Sequence, residues 1–134
     1  MPFADRSIDV VFNVVASHAY FADEFLRGVG RVLKPGGLFV LVDSRLTTPP
    51  AAETMIANAV RAGSMTLLRF HDVTQNVADT PRREAMLARA PWIARHHVRQ
   101  MIGVANSPRH LKFALRHATY FIALARRDEP ERPG

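Results

Sequence analysis

The chain contains no cysteine, so its proton-transfer and metal-binding chemistry falls to six histidines and twelve carboxylates. His18 and Asp43 stand out by position. His18 follows an apolar run over residues 8–15, and Asp43 closes a second apolar run over residues 38–42. An imidazole with its ordinary pKa of about 6.5 can take a proton from a hydroxyl at neutral pH, and a carboxylate can orient the ring or the hydroxyl. Equally, His18 can pack beside the helix that follows it, and Asp43 can do no more than end a strand. Ser17-His18 is not a hydrolase pair, because sequence neighbours do not make a triad and no Gly-x-Ser-x-Gly elbow is present. His96 and His97 are adjacent, so on a helix they point about 100° apart and chelate poorly. His71-Asp72 lacks the partner histidines of a metal site, and no metal is expected.

The elements that must position these groups alternate. Residues 8–15 form an expected strand. Residues 23–33 follow as a helix, with Phe25, Leu26, Val29, Val32 and Leu33 on one side. Gly36-Gly37 closes that helix, because glycine accepts the left-handed conformation at a helix end. Residues 38–42 are the second strand. Pro49-Pro50 breaks the chain before a helix over 51–62 that stops at Gly63, and residues 65–70 form a third strand. Thr80-Pro81 and Ser107-Pro108 are helix-start signals. Between them Met86, Leu87, Trp92, Ile93, Val98, Met101 and Ile102 mark one or two amphipathic helices able to form a lid. Residues 118–125 are a last apolar strand, and 127–134 a charged, proline-containing tail expected to be disordered.

Such alternation specifies an α/β layered sheet, whose ligands bind at the carboxyl ends of the strands. Asn13, Val14, Val15, Ala16, Ser17, His18 and Tyr20 follow the first strand, and Asp43, Ser44 and Arg45 the second. The first strand is apolar on both faces, a pattern of strands with neighbours on both sides. At the start of a chain this suggests half a domain, with an open edge inviting self-association or pairing with an amino-terminal half.

At 134 residues one domain is expected, with 48% hydrophobic residues and a mean hydropathy of −0.05. No apolar run approaches the ~20 residues of a membrane-spanning helix, and no secretory signal is visible. These features and the lack of cysteine suggest a cytoplasmic protein. The formal charge of +6 and a pI near 11.0 admit nucleic-acid binding. The arginines are scattered through the second half, however, without the interleaved aromatics that stack bases, so no nucleic-acid partner is expected.

Two segments carry a family resemblance. Pro2-Phe3-Ala4-Asp5-Arg6-Ser7-Ile8-Asp9-Val10-Val11 and Arg31-Val32-Leu33-Lys34-Pro35-Gly36-Gly37 resemble the fourth strand, and the end of the helix before the fifth, of class I S-adenosylmethionine-dependent methyltransferases. The likeness is to the branch acting on natural products and lipids. Asp72-Val73-Thr74-x-Asn76-Val77 and Tyr120 to Arg126 fit the remainder of that fold. The resemblance implies a partial doubly wound, Rossmann-like sheet, mostly parallel with an antiparallel final strand, over residues 1–126. It implies S-adenosylmethionine as cofactor, met by Asn13, Val14 and Ser17 and by Phe3 near the adenine. It also implies His18 and Asp43 as base and orienting group for methyl transfer to a hydroxyl of a small molecule, lipid or polyketide. Val15 stands where relatives carry glutamate. The family's Gly-x-Gly loop and its ribose-binding acid are expected upstream of Met1, so the isolated chain is expected to bind the cofactor weakly or not at all. The alternative is a non-catalytic remnant or interaction module that pairs through its sheet edge.

Overall fold

The computed structural model describes residues 2–14, 23–78, 88–89, 91–92, 95, 115 and 117–129. In chain order the described elements are β1 (Ile8–Val14), α1 (Asp23–Val32), β2 (Leu33–Arg45), α2 (Pro49–Val60), a 3-10 turn (Arg61–Gly63), β3 (Met65–Asp72), α3 (Thr74–Ala78) and β4 (Thr119–Arg127). The helix-start signals at Thr80-Pro81 and Ser107-Pro108, and most of the lid segment, lie outside the described residues, as do Val15, Ser17, His18 and Tyr20.

The strands form one sheet in the order β1-β2-β4-β3. β1 and β2 are parallel, and β4 is antiparallel to both β2 and β3. β1, β2 and β3 therefore all run one way and the final strand runs against them, the partly parallel α/β arrangement expected. Phe39 and Leu41 of β2, and Phe121, Ala123 and Ala125 of β4, meet Leu26 and Val29 of α1 and Ile56 and Val60 of α2 in the core. Phe70 stacks on Phe121 at 4.9 Å, and Phe25 meets Phe39 edge-on at 6.4 Å. The periodic face predicted for α1 is the buried one: Leu26, Val29 and Val32 are all inaccessible to solvent. On the other face of the sheet, Val10, Phe12 and Val14 of β1 and Ile122 of β4 are exposed.

Several boundaries move for identifiable reasons. α1 stops at Val32, because Leu33 already pairs with Ile8; four residues then loop out before the ladder resumes at Val10 and Leu38. Gly36 takes the left-handed conformation in that loop, with φ of 76°. Pro49 and Pro50 do not break the chain before α2. They form its first turn, where a missing N–H leaves no hydrogen bond unmade. β3 extends to Asp72 and β4 to Arg127, and the backbone N–H of Asp128 donates to Ser64.

Gly63 serves close packing rather than helix termination. The left-handed residue after the 3-10 turn is Ser64, at φ of 51°. A Cβ on Gly63 would lie 2.3 Å from the Leu26 carbonyl oxygen, and one on Gly30 would lie 1.9 Å from the Gly63 oxygen. α1 and the turn thus touch backbone to backbone. Gly30→Ala is expected to destabilise the fold by about 3 kcal/mol or more, since backbone rather than a flexible side chain must yield. A urea-denaturation midpoint equal to that of the parent chain would contradict this close approach.

Candidate functional site

The three parallel strands end at one pole of the sheet, and polar side chains replace apolar ones there. Alternation along β1 puts Val11 and Asn13 on the helix-covered face, beside Phe39 and Leu41 of β2. Asn13 is buried. Among the described residues, pairing of β1 with β2 ends at Val14 and Val42, and Asp43 is the next residue of β2. Asp43 was expected to close its strand; instead β2 continues to Arg45, held against β4 by the pairs Asp43–Phe121 and Arg45–Thr119. Phe121 also faces Asp72 of β3, which places the two carboxylates on one face, two strand spacings or about 10 Å apart.

Asp43 is 1% exposed. Its Oδ1 accepts the backbone N–H of Ser44 at 2.7 Å and its Oδ2 accepts Arg45 Nη1 at 3.2 Å. Arg45 Nη1 also donates to the Ser44 carbonyl at 2.8 Å, and the guanidinium lies 5.9 Å from the Phe121 ring centre. A carboxylate buried this deeply needs a compensating charge and aligned donors, and residues 44 and 45 of its own strand supply both. The importance of Arg45 was not assigned from sequence. The signal was there: on a strand, residues two apart share a face, so Arg45 belongs beside Asp43. Asp72 is committed to local structure, accepting the Thr74 N–H at 2.9 Å and the Thr74 hydroxyl. His71, by contrast, is exposed.

The sequence-derived candidates thus separate into groups. Asn13 and Asp43 come together at the carboxyl pole, and Val14 joins them through its backbone, its side chain being 58% exposed on the opposite face. Phe3 does not. It precedes β1, where its carbonyl accepts Arg31 Nη1 at 2.9 Å, and the seven residues of β1 put about 20 Å between it and Val14. Ser17 and His18 lie outside the described residues. Among the described residues no three His, Cys, Asp or Glu side chains are gathered to hold a metal ion, and no helix is long and apolar enough to cross a membrane.

Comparison with known proteins bears on the family and the fold. Residues 1–41 match the family model described as "Methyltransferase domain". The "Probable phthiotriol/phenolphthiotriol dimycocerosates methyltransferase 2" of Mycobacterium ulcerans is 35% identical over 115 residues, covering 81% of this chain and 43% of the relative. A fatty-acid O-methyltransferase of Mycolicibacterium smegmatis is 50% identical over 46 residues, 34% of this chain and 17% of the relative. The chain therefore spans less than half the length of the curated relatives it is compared with here. Among solved structures, the geranyl diphosphate C-methyltransferase of Streptomyces coelicolor A3(2) superimposes with a TM-score of 0.69 at 13% identity, over 95% of this chain and 50% of that one. The cyclase SpnF gives 0.67 at 20% identity, over 97% and 54%. These likenesses favour the methyltransferase assignment over the interaction module.

Burial of the Asp43–Arg45 pair generates a stability prediction. Asp43→Ala removes the carboxylate paired with a guanidinium only 13% exposed, and is expected to cost about 2–3 kcal/mol, with Asp43→Asn costing less because the amide oxygen still accepts. Denaturant titration of both variants checks the order. An unchanged midpoint in Asp43→Ala would show that the pair carries no weight in the fold.

Proposed function

We propose, taking as premise that this chain belongs to the class I S-adenosylmethionine-dependent methyltransferases of the lipid and natural-product branch, that it forms the acceptor side of an O-methyltransferase site at the carboxyl pole of β1 and β2. The observation that carries the proposal is the step at Asp43. Among the described residues β2 outruns β1 by three there, and that extension holds a buried carboxylate that accepts from Ser44 and Arg45. The donor set suits the cofactor, since Asn13 and the Val14 backbone end the neighbouring strand and can meet its amino-acid portion. S-adenosylmethionine, when bound, supplies an electrophilic methyl carbon on a sulfonium. His18, four residues beyond the end of β1 in sequence, would take the proton from the acceptor hydroxyl as its oxygen bonds to that carbon and the carbon–sulfur bond breaks, the electron pair staying on sulfur as a neutral thioether. Asp43 orients the imidazole or the hydroxyl. By analogy with the mycobacterial relatives, the acceptor is a hydroxyl on a long-chain lipid or polyketide.

The test joins this chain to the amino-terminal portion of the Mycobacterium ulcerans relative and follows label from methyl-labelled S-adenosylmethionine to a hydroxylated long-chain acceptor. His18→Ala is expected to lower turnover by roughly 10²-fold with cofactor affinity nearly unchanged. An unaltered rate removes His18 from the chemistry. Without the added portion the chain is expected to bind the cofactor weakly or not at all, and micromolar binding in calorimetry would show that the described strands hold it unaided.

Pairing with such a portion also accounts for the edge of the sheet. Among the described residues β1 has a strand neighbour on one side only, and Phe12 is 69% exposed. Unpaired backbone beside apolar side chains is a template for another strand. The isolated chain is therefore expected to self-associate, as measured by light scattering across a concentration series. A monodisperse 15.0 kDa monomer would show that the edge is covered.

A further inference from the structure

At the opposite pole of the sheet from Asp43, a cleft of about 350 Å³ opens between α1, the 3-10 turn and the segment before β1. Four arginines line it, Arg6, Arg27, Arg31 and Arg127, against the single carboxylate of Asp5. They come from three separate parts of the chain, Arg27 and Arg31 one turn apart on α1, Arg6 before β1 and Arg127 at the end of β4, so no run of basic sequence announces them. Two are held in place. Arg31 donates to the Phe3 carbonyl and pairs with Asp5, while Arg127 Nη1 donates to the carbonyls of Gly63 at 2.8 Å and Ser64 at 3.0 Å. The other two stand ready. Arg6 and Arg27 are exposed, and their side chains make no hydrogen bond or ion pair with a described residue. Arg6 sits at φ of 53°, in a turn fixed by its backbone N–H donating to the Arg31 carbonyl at 3.0 Å.

The acidic residues after the end of β4 do not line the cleft. Asp128 Oδ1 accepts the Thr66 hydroxyl at 2.7 Å, and Glu129 reaches towards Gly36. Gathering like charges around a concave surface is unfavourable unless an anion offsets it, and guanidinium forks match the oxygen geometry of a phosphoryl group. The glycines of the α1–turn contact form part of the wall, so the backbone is bare there and the cleft stays open. Its volume lies at the lower end of small-ligand sites, room for a phosphoryl or pyrophosphoryl group.

We infer that this cleft is an anion site for a phosphoryl group, carried by a soluble phosphorylated compound or by a lipid headgroup, with Arg6 and Arg27 closing on an anion that Arg31 and Arg127 receive. The site does not depend on the methyl-transfer chemistry proposed above, so either can fail without the other.

The test is calorimetric titration of the full chain with inorganic pyrophosphate, at low and at raised salt. Saturable binding is expected, weakened by salt and by about tenfold or more in the paired variant Arg6→Gln/Arg27→Gln. Because both side chains are exposed and bond no described residue, the fold does not rest on them. Arg69→Gln, an exposed arginine on β3, serves as control and is expected to bind like the parent. A second arm measures co-sedimentation with phosphatidylcholine vesicles, with and without phosphatidic acid. Pyrophosphate binding without vesicle capture assigns a soluble ligand. Capture that requires phosphatidic acid and is lost in the paired variant assigns a headgroup. No saturable binding of either probe, or equal weakening in Arg69→Gln, overturns the inference.

Discussion

β2 and β3 do not pair with each other, and the sheet depends on what lies between them. β4 fills the gap, pairing continuously from Leu38–Arg126 to Arg45–Thr119 on one side and, with one irregularity between Leu67 and Arg69, from Met65–Arg127 to Asp72–Phe121 on the other. Its residues lie far along the chain from both partners. Closing loops of that length before any pairing energy returns makes assembly non-local, which slows folding. The same placement sets the geometry of the carboxyl pole. Phe121 stands between Asp43 and Asp72, stacks on Phe70 and lies near the Arg45 guanidinium, so the floor of the candidate site is laid by the last strand.

Much of this was legible in the sequence where one physical signal dominated. The 3.6-residue spacing of Leu26, Val29 and Val32 identified both α1 and its buried face, and the unbroken apolar runs identified the strands. The order of those elements fixed the α/β class. Signals that admit two physical explanations were less informative. Proline can interrupt a helix or begin one, and at Pro49 and Pro50 it begins α2. Glycine can supply a left-handed turn or bare backbone; Gly36 does the first and Gly63 the second.

The candidate site was legible to the extent that it follows strand ends. Asp43 and Asn13 were reached by asking what succeeds each apolar run, and the sheet brings them to one pole. Phe3 belonged to the same sequence motif but precedes its strand, and a strand carries its two ends apart; proximity in sequence was a poor guide there. The arginine cleft was invisible for a related reason, since its side chains converge only after α1, the 3-10 turn and β4 have packed. Fold likeness adds little at this level. The cyclase SpnF and the geranyl diphosphate C-methyltransferase superimpose on this chain equally well, so reaction and acceptor must be argued from side chains.

The contact between Gly30 and Gly63 joins two positions in a way that side-chain packing does not. Where two side chains meet, a larger one on one side can be accommodated by a smaller one on the other. Here neither position has a side chain to give up, and the obstacle to each is main-chain oxygen. For inheritance, each codon is closed to the other nineteen residues by backbone, the Gly63 oxygen at Gly30 and the Leu26 oxygen at Gly63. A lineage can escape only by moving α1 or the turn as a whole, so drift along α1 can rewrite its exposed surface while the axis of the helix stays where these glycines set it.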